Sequence, residues 1–419
     1  MQSRVSSAAS SGLHAPVGRE AGSAQGVVLV AVSWLAVVAA GVLAPVLPKM
    51  AQHFAGAPGL GLMIGFVATI PALAVALFAI PVGHISDRVG ARRILVIGML
   101  GYGLAGLLPL WLNSLPAIVI SRFVVGVCEA AVMTASTTLI GLYFVGTRSD
   151  RWLAVQVAST NVMGVVVVLA GGLAGEHSWR APFLAYAVAI VLLLPVLLVT
   201  YEPRRPGKPA VVAPTDRSVH QSWTLIATHC GLTFFVSVTV YTLIVQLSFL
   251  LAERGVVNPS VIGFGISFGA GGVALGSIAN AGLLAVPTRV RLLASFVLMA
   301  GGIAAIALNP ALPATCAGGL AAGLGAGCAV STLLCATVSG APAALKGRVT
   351  GAWTAAMFLG QFLNPPIFLG LVRLGGSYDK AFLIFSGVCA VIAIGAGVLT
   401  LEKLSDARQS GRLRPVKPD

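Results

Sequence analysis

Apolar residues fill long stretches of this chain, and short intervals between those stretches carry most of its charge. Each stretch is long enough, at about 1.5 Å of rise per residue, to cross a hydrocarbon layer of about 30 Å. The pattern therefore predicts an all-α integral membrane protein. The twelve predicted transmembrane helices have approximate limits of 26–48, 59–82, 94–113, 116–144, 152–174, 181–201, 223–252, 260–285, 292–309, 313–338, 349–372 and 381–401.

The composition agrees with this pattern, because 57% of the residues are hydrophobic and 9% are charged, whereas a soluble domain carries about 25% charged residues. The net charge of +14 does not indicate a nucleic-acid partner. Most Lys and Arg lie in the two tails and in the intervals that follow even-numbered spans. Because such residues are retained in the cytoplasm, both termini are predicted there, with the basic face toward anionic membrane lipid. The opposite intervals hold Lys49, Arg180, Arg254, Arg373 and Lys380.

A basic, proline-containing interval at 202–222 divides the twelve spans into two sets of six. We predict a cytoplasmic linker there, between six-helix bundles at 26–201 and 223–401. Residues 1–25 are rich in Ser, Ala and Gly and predict a disordered cytoplasmic tail, with an organelle transit peptide as the alternative. Residues 402–419 are predicted to form a second cytoplasmic tail.

The two sets of spans resemble each other. Recurrences at nearly constant separation indicate a parallel internal repeat, so the two bundles are predicted to be pseudo-symmetric about an axis along the membrane normal. The repeated positions are Gly83 with Gly276 and Asp87 with Asn280, 193 residues apart, Gly126 with Gly323, 197 apart, and Ala181 with Lys380, 199 apart.

The densest charge cluster of the first two hundred residues lies between the second and third spans. A basic turn on the cytoplasmic face explains its arginines but not its glycines and aspartate. The spacing resembles the signature G-x-x-x-D-R-x-G-R-R of the major facilitator superfamily, which joins the second and third helices of those transporters. One extra residue, Ala91, precedes the Arg pair. The matching positions are Gly83, Asp87, Arg88, Gly90, Arg92 and Arg93.

This resemblance implies a gate on the cytoplasmic side, formed by the signature residues. In the family, the loop aspartate faces the start of the eleventh helix, and the glycine lets the second and eleventh helices approach. Asp87 is therefore expected to face the region of Thr350 and Gly351, because a carboxylate is stabilised by the free N–H groups at a helix N-terminus. Asn280 replaces the acid in the second copy, so the corresponding latch is expected to be weaker.

Glu129 is the acidic residue that the predicted spans place at the middle of a helix. An ionised carboxylate there costs roughly 2.5–3.5 kcal/mol, so we predict that Glu129 binds and releases a proton. Arg122 lies seven residues earlier on the same face, separated by about 10 Å of rise. It is predicted to be the electrostatic partner of Glu129. Alternatively, the two form a buried structural pair with no role in transport.

Arg122 and Gly126 also match the fourth-helix pattern R-x-x-x-G of the superfamily, whose arginine is associated with proton transfer in proton-linked members. Most members carry a small residue at the position of Glu129. The combination is similar to spinster-type lipid transporters and anion–cation symporters. The fifth span keeps Gly171-Gly172 of the G-P-x-x-G-G pattern of drug–proton antiporters but has Val167-Val168 in place of Gly-Pro, which leaves the transport direction open.

Polar or aromatic residues well inside the spans are candidates for a substrate cavity. Pro365 and Pro366 are predicted to break the eleventh helix, because prolines remove backbone hydrogen bonds. A mostly apolar cavity with one acid and one base favours a small hydrophobic or amphipathic organic substrate. The cavity candidates are Trp34, Asn161, Tyr241, Gln246 and Asn364.

The sequence therefore predicts a monomeric transporter of a bacterial inner membrane that exports its substrate by proton-coupled alternating access. Six cysteines in apolar runs without a C-x-x-C pair indicate neither a disulfide framework nor a metal site, and no cofactor is predicted. No phosphate-binding loop occurs, so an ion gradient is the expected energy source. The alternatives are an organic-anion symporter in which Arg122 binds the substrate, an uncoupled facilitator, and a membrane enzyme such as a lipid transferase.

Overall fold

The computed structural model describes residues 21–203, 219–339 and 346–409. The regular structure in these ranges is helical, and twelve of the helices are long and apolar enough to cross a membrane. The predicted fold class is confirmed. Most of the predicted linker (204–218) and parts of the two predicted tails (1–20 and 410–419) lie outside the described residues.

We number the spanning helices α1 to α12 in chain order. Successive helices run in opposite directions. The side of the bundle where α1 begins and α2 ends is called the terminal side. The opposite side is called the far side. The helices are α1 Ser23–His53, α2 Leu60–Val89, α3 Ala91–Leu110, α4 Leu115–Tyr143, α5 Thr147–His177, α6 Ala181–Val199, α7 Val219–Tyr241 continued by Thr242–Gln246 and Leu247–Glu253, α8 Pro259–Gly282, α9 Thr288–Leu308, α10 Leu312–Ser339, α11 Lys346–Gly375 and α12 Tyr378–Gln409.

Each set of six helices has its own apolar core. One cluster consists of buried residues of α1 to α6 together with Val245 of α7, and most of a second cluster comes from α7 to α12. In the N-terminal half, α4 packs on α2 and α3; in the C-terminal half, α10 packs on α8 and α9. The same pairs are used in both halves, as expected for an internal repeat.

The charged segment after the second span is helical rather than a turn. Helix α2 continues to Val89, and the backbone reverses at Gly90, whose φ is +110°. The predicted spans, 59–82 and 94–113, therefore left too long an interval between the second and third helices. A positive φ is accessible mainly to glycine, and the reversal occurs where the sequence provides one.

Helix α1 is interrupted near its middle and again toward the far side. It consists of α-helical pieces, Ser23–Ser33, Leu35–Gly41 and Leu47–His53, with a 3-10 turn at Ala44–Val46. Pro45 lies in that turn and has no amide hydrogen to donate. These interruptions leave backbone carbonyls of α1 available to side chains from other helices.

Helix α11 continues through Pro365 and Pro366, so the predicted break there was wrong. The fixed φ of proline is itself helical, and two missing hydrogen bonds do not end the helix. Packing supports the segment, because Gly65 of α2 lies so close that an added Cβ would be 2.5 Å from the Cβ of Pro365. The irregular segment of the C-terminal half is instead a π turn in α7 at Thr242–Gln246.

The two halves are sealed together toward the far side. Besides the contact of Gly65 with Pro365, Phe66 of α2 stacks on Phe362 of α11 with ring centroids 5.2 Å apart. Between α5 and α8 the backbones touch, because a Cβ on Gly172 would lie 2.7 Å from the carbonyl oxygen of Pro259. Only residues without side chains allow so close a crossing.

Candidate functional site

Arg122 of α4 is fully buried and joins four helices. Its Nη2 donates to the carbonyl oxygen of Ala39 on α1 at 2.8 Å and to the hydroxyl of Tyr186 on α6 at 2.6 Å. Its Nε donates to the carbonyl oxygen of Val67 on α2 at 3.3 Å. The guanidinium carbon also lies 4.6 Å from the centre of the Tyr186 ring. Nη1 has no hydrogen-bond partner among the described residues.

The two carbonyl oxygens that accept from Arg122 lack the usual helical amide partner. In a regular helix the carbonyl of Val67 would bond to the amide of residue 71, which is Pro71 and has no N–H. The amide of Leu43 bonds to the carbonyl of Ala40, so the carbonyl of Ala39 is also free. A buried guanidinium with several fixed donors satisfies both.

Gly126 lets α2 and α4 approach closely enough for this contact. A Cβ on Gly126 would lie 2.4 Å from the carbonyl oxygen of Pro71. The R-x-x-x-G spacing therefore has a local explanation. Gly126 contacts Pro71, and Arg122, one turn away, donates a hydrogen bond to the carbonyl of Val67 that Pro71 leaves without an amide partner.

Two tyrosines complete this cluster, and our sequence reasoning missed both. The hydroxyl of Tyr186 donates to the carbonyl oxygen of Ala39 at 2.8 Å, and that of Tyr102 donates to the carbonyl oxygen of Leu35 at 2.6 Å. Both side chains are buried, and their ring centroids are 5.3 Å apart. A tyrosine inside a predicted span is a usable signal, since its buried hydroxyl requires a partner.

Glu129 is buried at the middle of α4 with 4% of its surface exposed. Among the described residues, its carboxyl group has neither a hydrogen bond nor an ion-pair partner, and Arg122 does not form an ion pair with it. The electrostatic neighbours of Glu129 are Arg122 on the same helix and tyrosines on three others, namely Tyr102, Tyr186 and Tyr241. Tyr241 belongs to α7, so Glu129 lies where the two halves meet.

The end of α6 holds the start of α3 in the N-terminal half. The Glu202 carboxylate accepts from the amides of Ala91 at 2.9 Å and Arg92 at 3.0 Å. The Arg92 Nε donates to the carbonyl oxygen of Thr200 at 2.9 Å. Arg92 is thereby bonded within its own half. A Cβ on Gly90 would lie 2.8 Å from the Glu202 carboxyl group.

The other signature residues lie at the terminal end of α2 and the start of α3. Asp87, Arg88 and Arg93 are exposed, and Gly83 is half-buried. Their predicted gating role stays a prediction.

The five predicted cavity residues fall into two groups. Trp34, Asn161 and Tyr241 are half-buried, and the indole Nε1 of Trp34 donates to the Ser159 hydroxyl at 3.1 Å. Gln246 and Asn364 are buried within the C-terminal half and bonded to each other. Within the described ranges, no group of His, Cys, Asp and Glu is arranged to hold a metal ion.

Twelve spanning helices in two sets of six that use the same helix pairs are typical of a membrane transporter. A family model described as Major Facilitator Superfamily matches residues 29–365, so the chain belongs to that superfamily and is a transporter rather than an enzyme. It is an integral membrane protein, and its family resemblance is confirmed.

Several similar proteins have names that refer to drug efflux or drug resistance. The chain is 31% identical over 160 residues to the multidrug efflux pump LfrA of Mycolicibacterium smegmatis, which covers 38% of this chain and 30% of that protein. It is 27% identical over 150 residues to a class E tetracycline resistance protein of Escherichia coli, 36% of each chain. The aligned regions thus span about a third of each relative's length.

Solved structures with the same fold cover more of the chain at lower identity. A bacterial homologue of the human lysosomal transporter Spinster, described as inward-facing and unoccupied, superposes with a TM-score of 0.69 over 90% of this chain and 95% of the other, at 17% identity. A POT family transporter in complex with 5-aminolevulinic acid gives 0.69 over 90% and 96%, at 14% identity. At these identities the likeness concerns the fold.

Proposed function

We propose that this protein is a proton-coupled exporter of a small hydrophobic or amphipathic organic compound, working by alternating access. The observation that carries the proposal is Glu129, a buried acid without a bonded partner among the described residues, at the meeting of the two halves. An intramembrane carboxyl group that is kept without a counter-ion is suited to taking up and releasing a proton.

The direction of transport is inferred from two sources. The relatives named above are efflux pumps and resistance proteins, which supports export. The distribution of Lys and Arg supports a cytoplasmic terminal side in a bacterial inner membrane.

Arg122 has a structural role in this proposal and acts on Glu129 at a distance. Its Nε and Nη2 are bonded to α1, α2 and α6, and it organises the bundle in which Glu129 lies.

The test is Glu129→Gln in proteoliposomes with an imposed pH gradient. Substrates come from a library of drugs, lipids and metabolites screened by ligand-induced thermal stabilisation, because a bound ligand raises apparent stability. We expect Glu129→Gln to lose gradient-driven transport and keep ligand binding. Asp150→Asn, which changes an exposed acid at the start of α5, is the matched control. Unchanged gradient-driven transport in Glu129→Gln would identify an uncoupled facilitator or another coupling site.

A second candidate is symport of an organic anion, favoured by the unpartnered Nη1 of Arg122. A free guanidinium donor can bind a carboxylate or phosphate. The same proteoliposomes separate the candidates: in antiport, substrate and protons move in opposite directions, and in symport they move together.

A further inference from the structure

A single side chain of α11 is bonded to both ends of the π turn in α7. Asn364 Nδ2 donates to the hydroxyl of Thr242, the first residue of the turn, and to the carbonyl oxygen of Val238, each at 3.0 Å. Its Oδ1 accepts from Nε2 of Gln246, the last residue of the turn, at 2.7 Å. Asn364 is fully buried, and 3% of Gln246 is exposed.

The π turn has no local cause in the sequence. The segment Thr242–Gln246 contains neither Gly nor Pro, and the amide of Leu247 bonds to the carbonyl of Thr242, five residues back. π turns are rare and occur often at functional sites. Since the segment itself offers no cause, we attribute the turn to the bonds that Asn364 makes at both of its ends.

The turn determines which way Tyr241 points. In an α-helix, each residue is rotated by about 100° around the helix axis from the residue before it. A π turn is wider, so it changes the angle around the axis between the side chains before the turn and those after it. Tyr241 directly precedes the turn and packs, half-buried, against the core of the N-terminal half. That core includes Val125 and Val132, which lie about one turn on either side of Glu129.

Four ionisable groups of the described residues lie near enough to Glu129 to interact with its charge. Arg122, Tyr102 and Tyr186 belong to the N-terminal half and are bonded to α1. Tyr241 comes from the C-terminal half and lies within electrostatic range of the carboxyl group. It is therefore the group whose position relative to Glu129 changes when the halves move against each other.

We propose that Asn364 is a positioning residue for proton coupling: through the π turn it holds Tyr241 at the core of the N-terminal half that contains Glu129, and so links the charge of Glu129 to α7 and α11. This inference rests on the proposed role of Glu129 as proton carrier. It also gives Gln246 and Asn364 a role in coupling instead of in a substrate cavity.

The test compares Asn364→Ala and Tyr241→Phe with Ser237→Ala. Ser237 is the matched control, because its hydroxyl also bonds α7 to α11, donating to the carbonyl oxygen of Met357 at 2.7 Å, but it lies outside the turn. We expect Asn364→Ala and Tyr241→Phe to shift the pH of half-maximal flux in the same direction by about one unit, a tenfold change in proton affinity. Ser237→Ala should leave that pH unchanged.

Hydrogen–deuterium exchange of residues 238–246 provides a readout that is independent of transport. Asn364→Ala should accelerate exchange in this segment at least tenfold, and Ser237→Ala and Tyr241→Phe should not. If Asn364→Ala does not fold, Gln246→Leu removes one of the three bonds and tests the same point.

The outcomes separate this inference from the proposed function. Unchanged exchange in Asn364→Ala, or a pH profile of Tyr241→Phe equal to wild type while Glu129→Gln has lost coupling, would overturn the positioning role alone. Retained coupling in Glu129→Gln would overturn the proposed function, and with it the link between Asn364 and the proton.

Discussion

The two halves hold equivalent helix pairs together with different chemistry. In the N-terminal half, α2 and α4 cross at Gly126, and the buried Arg122 bonds to carbonyls on either side of the crossing. In the C-terminal half, glycines bring α8 and α10 into backbone contact, with added Cβ atoms calculated to lie 2.1–2.3 Å from carbonyl oxygens of the facing helix. These glycines are Gly272, Gly276, Gly323 and Gly327.

The repeat pairs Gly126 with Gly323, and both glycines contact the facing helix in the same way. The position equivalent to Arg122 is Gly319, and the one equivalent to Glu129 is Ala326. Neither of these C-terminal positions carries an ionisable side chain, and the buried charge beside the glycine crossing is Arg291 of α9, which donates to the Asn280 side chain of α8 at 2.8 Å. The comparison teaches that irregular backbone, here Pro71 and the interrupted α1, gives a buried guanidinium main-chain carbonyls to bond, whereas the regular glycine crossing leaves it a side chain.

The largest effect should come from removing the charge that organises the N-terminal half. We expect Arg122→Leu to lower the free energy of unfolding by about 2–4 kcal/mol, because it leaves buried acceptors without donors. Thermal unfolding in detergent measures the loss. Arg180→Leu is the control: its Nη2 also donates to a carbonyl, that of Leu112 at 3.3 Å, but from a half-buried position. Equal losses in the two variants would contradict a special role for Arg122.

An intermediate effect should follow from adding one methyl group to the glycine crossing. Gly276→Ala would place its Cβ 2.1 Å from the carbonyl oxygen of Leu324, and moving the helices apart costs about 1–3 kcal/mol. Gly271→Ala, on the same helix, has open space around its Cβ and should be neutral or stabilising, because alanine favours helices. The same unfolding assay compares them. If both variants behave alike, close packing is not what holds the C-terminal half.

The smallest effect should come from the exposed acids that cap helices in each half. Glu202 accepts from the amides at the start of α3, and Glu253 accepts from the amide of Tyr378 at the start of α12. Glu202→Gln and Glu253→Gln each remove one of these charges and should lower the free energy of unfolding by no more than about 0.5 kcal/mol. This loss should disappear at high salt, because salt screens exposed charges. A large difference in stability loss between the two variants would show that the halves differ at the ends of their helices as well as in their interiors.

Much of the fold could be predicted from hydropathy alone, because a membrane-spanning helix requires about twenty apolar residues and a charged residue within it is costly. The same reasoning identified Glu129 as an acid inside a span, where the structure buries it. It could not identify its neighbours, since Tyr102, Tyr186 and Tyr241 come from three other helices. Their proximity depends on how the helices rotate and cross.

Irregular backbone was the least predictable feature. Consecutive prolines at 365 and 366 indicated a break that does not occur, and Thr242–Gln246 gave no sign of its π turn. Both results depend on neighbours: Gly65 accommodates the first proline, and Asn364 is bonded across the π turn. Local sequence determines which hydrogen bonds are missing, but packing determines where the backbone changes its geometry.

The bonds of Arg122 have a mechanical consequence for the transport cycle. A guanidinium that joins α1, α2, α4 and α6 at one depth makes those four helices a stiff body, which can rotate as a unit but resists bending. In the proposed transport cycle we therefore expect α1, α2, α4 and α6 to move together.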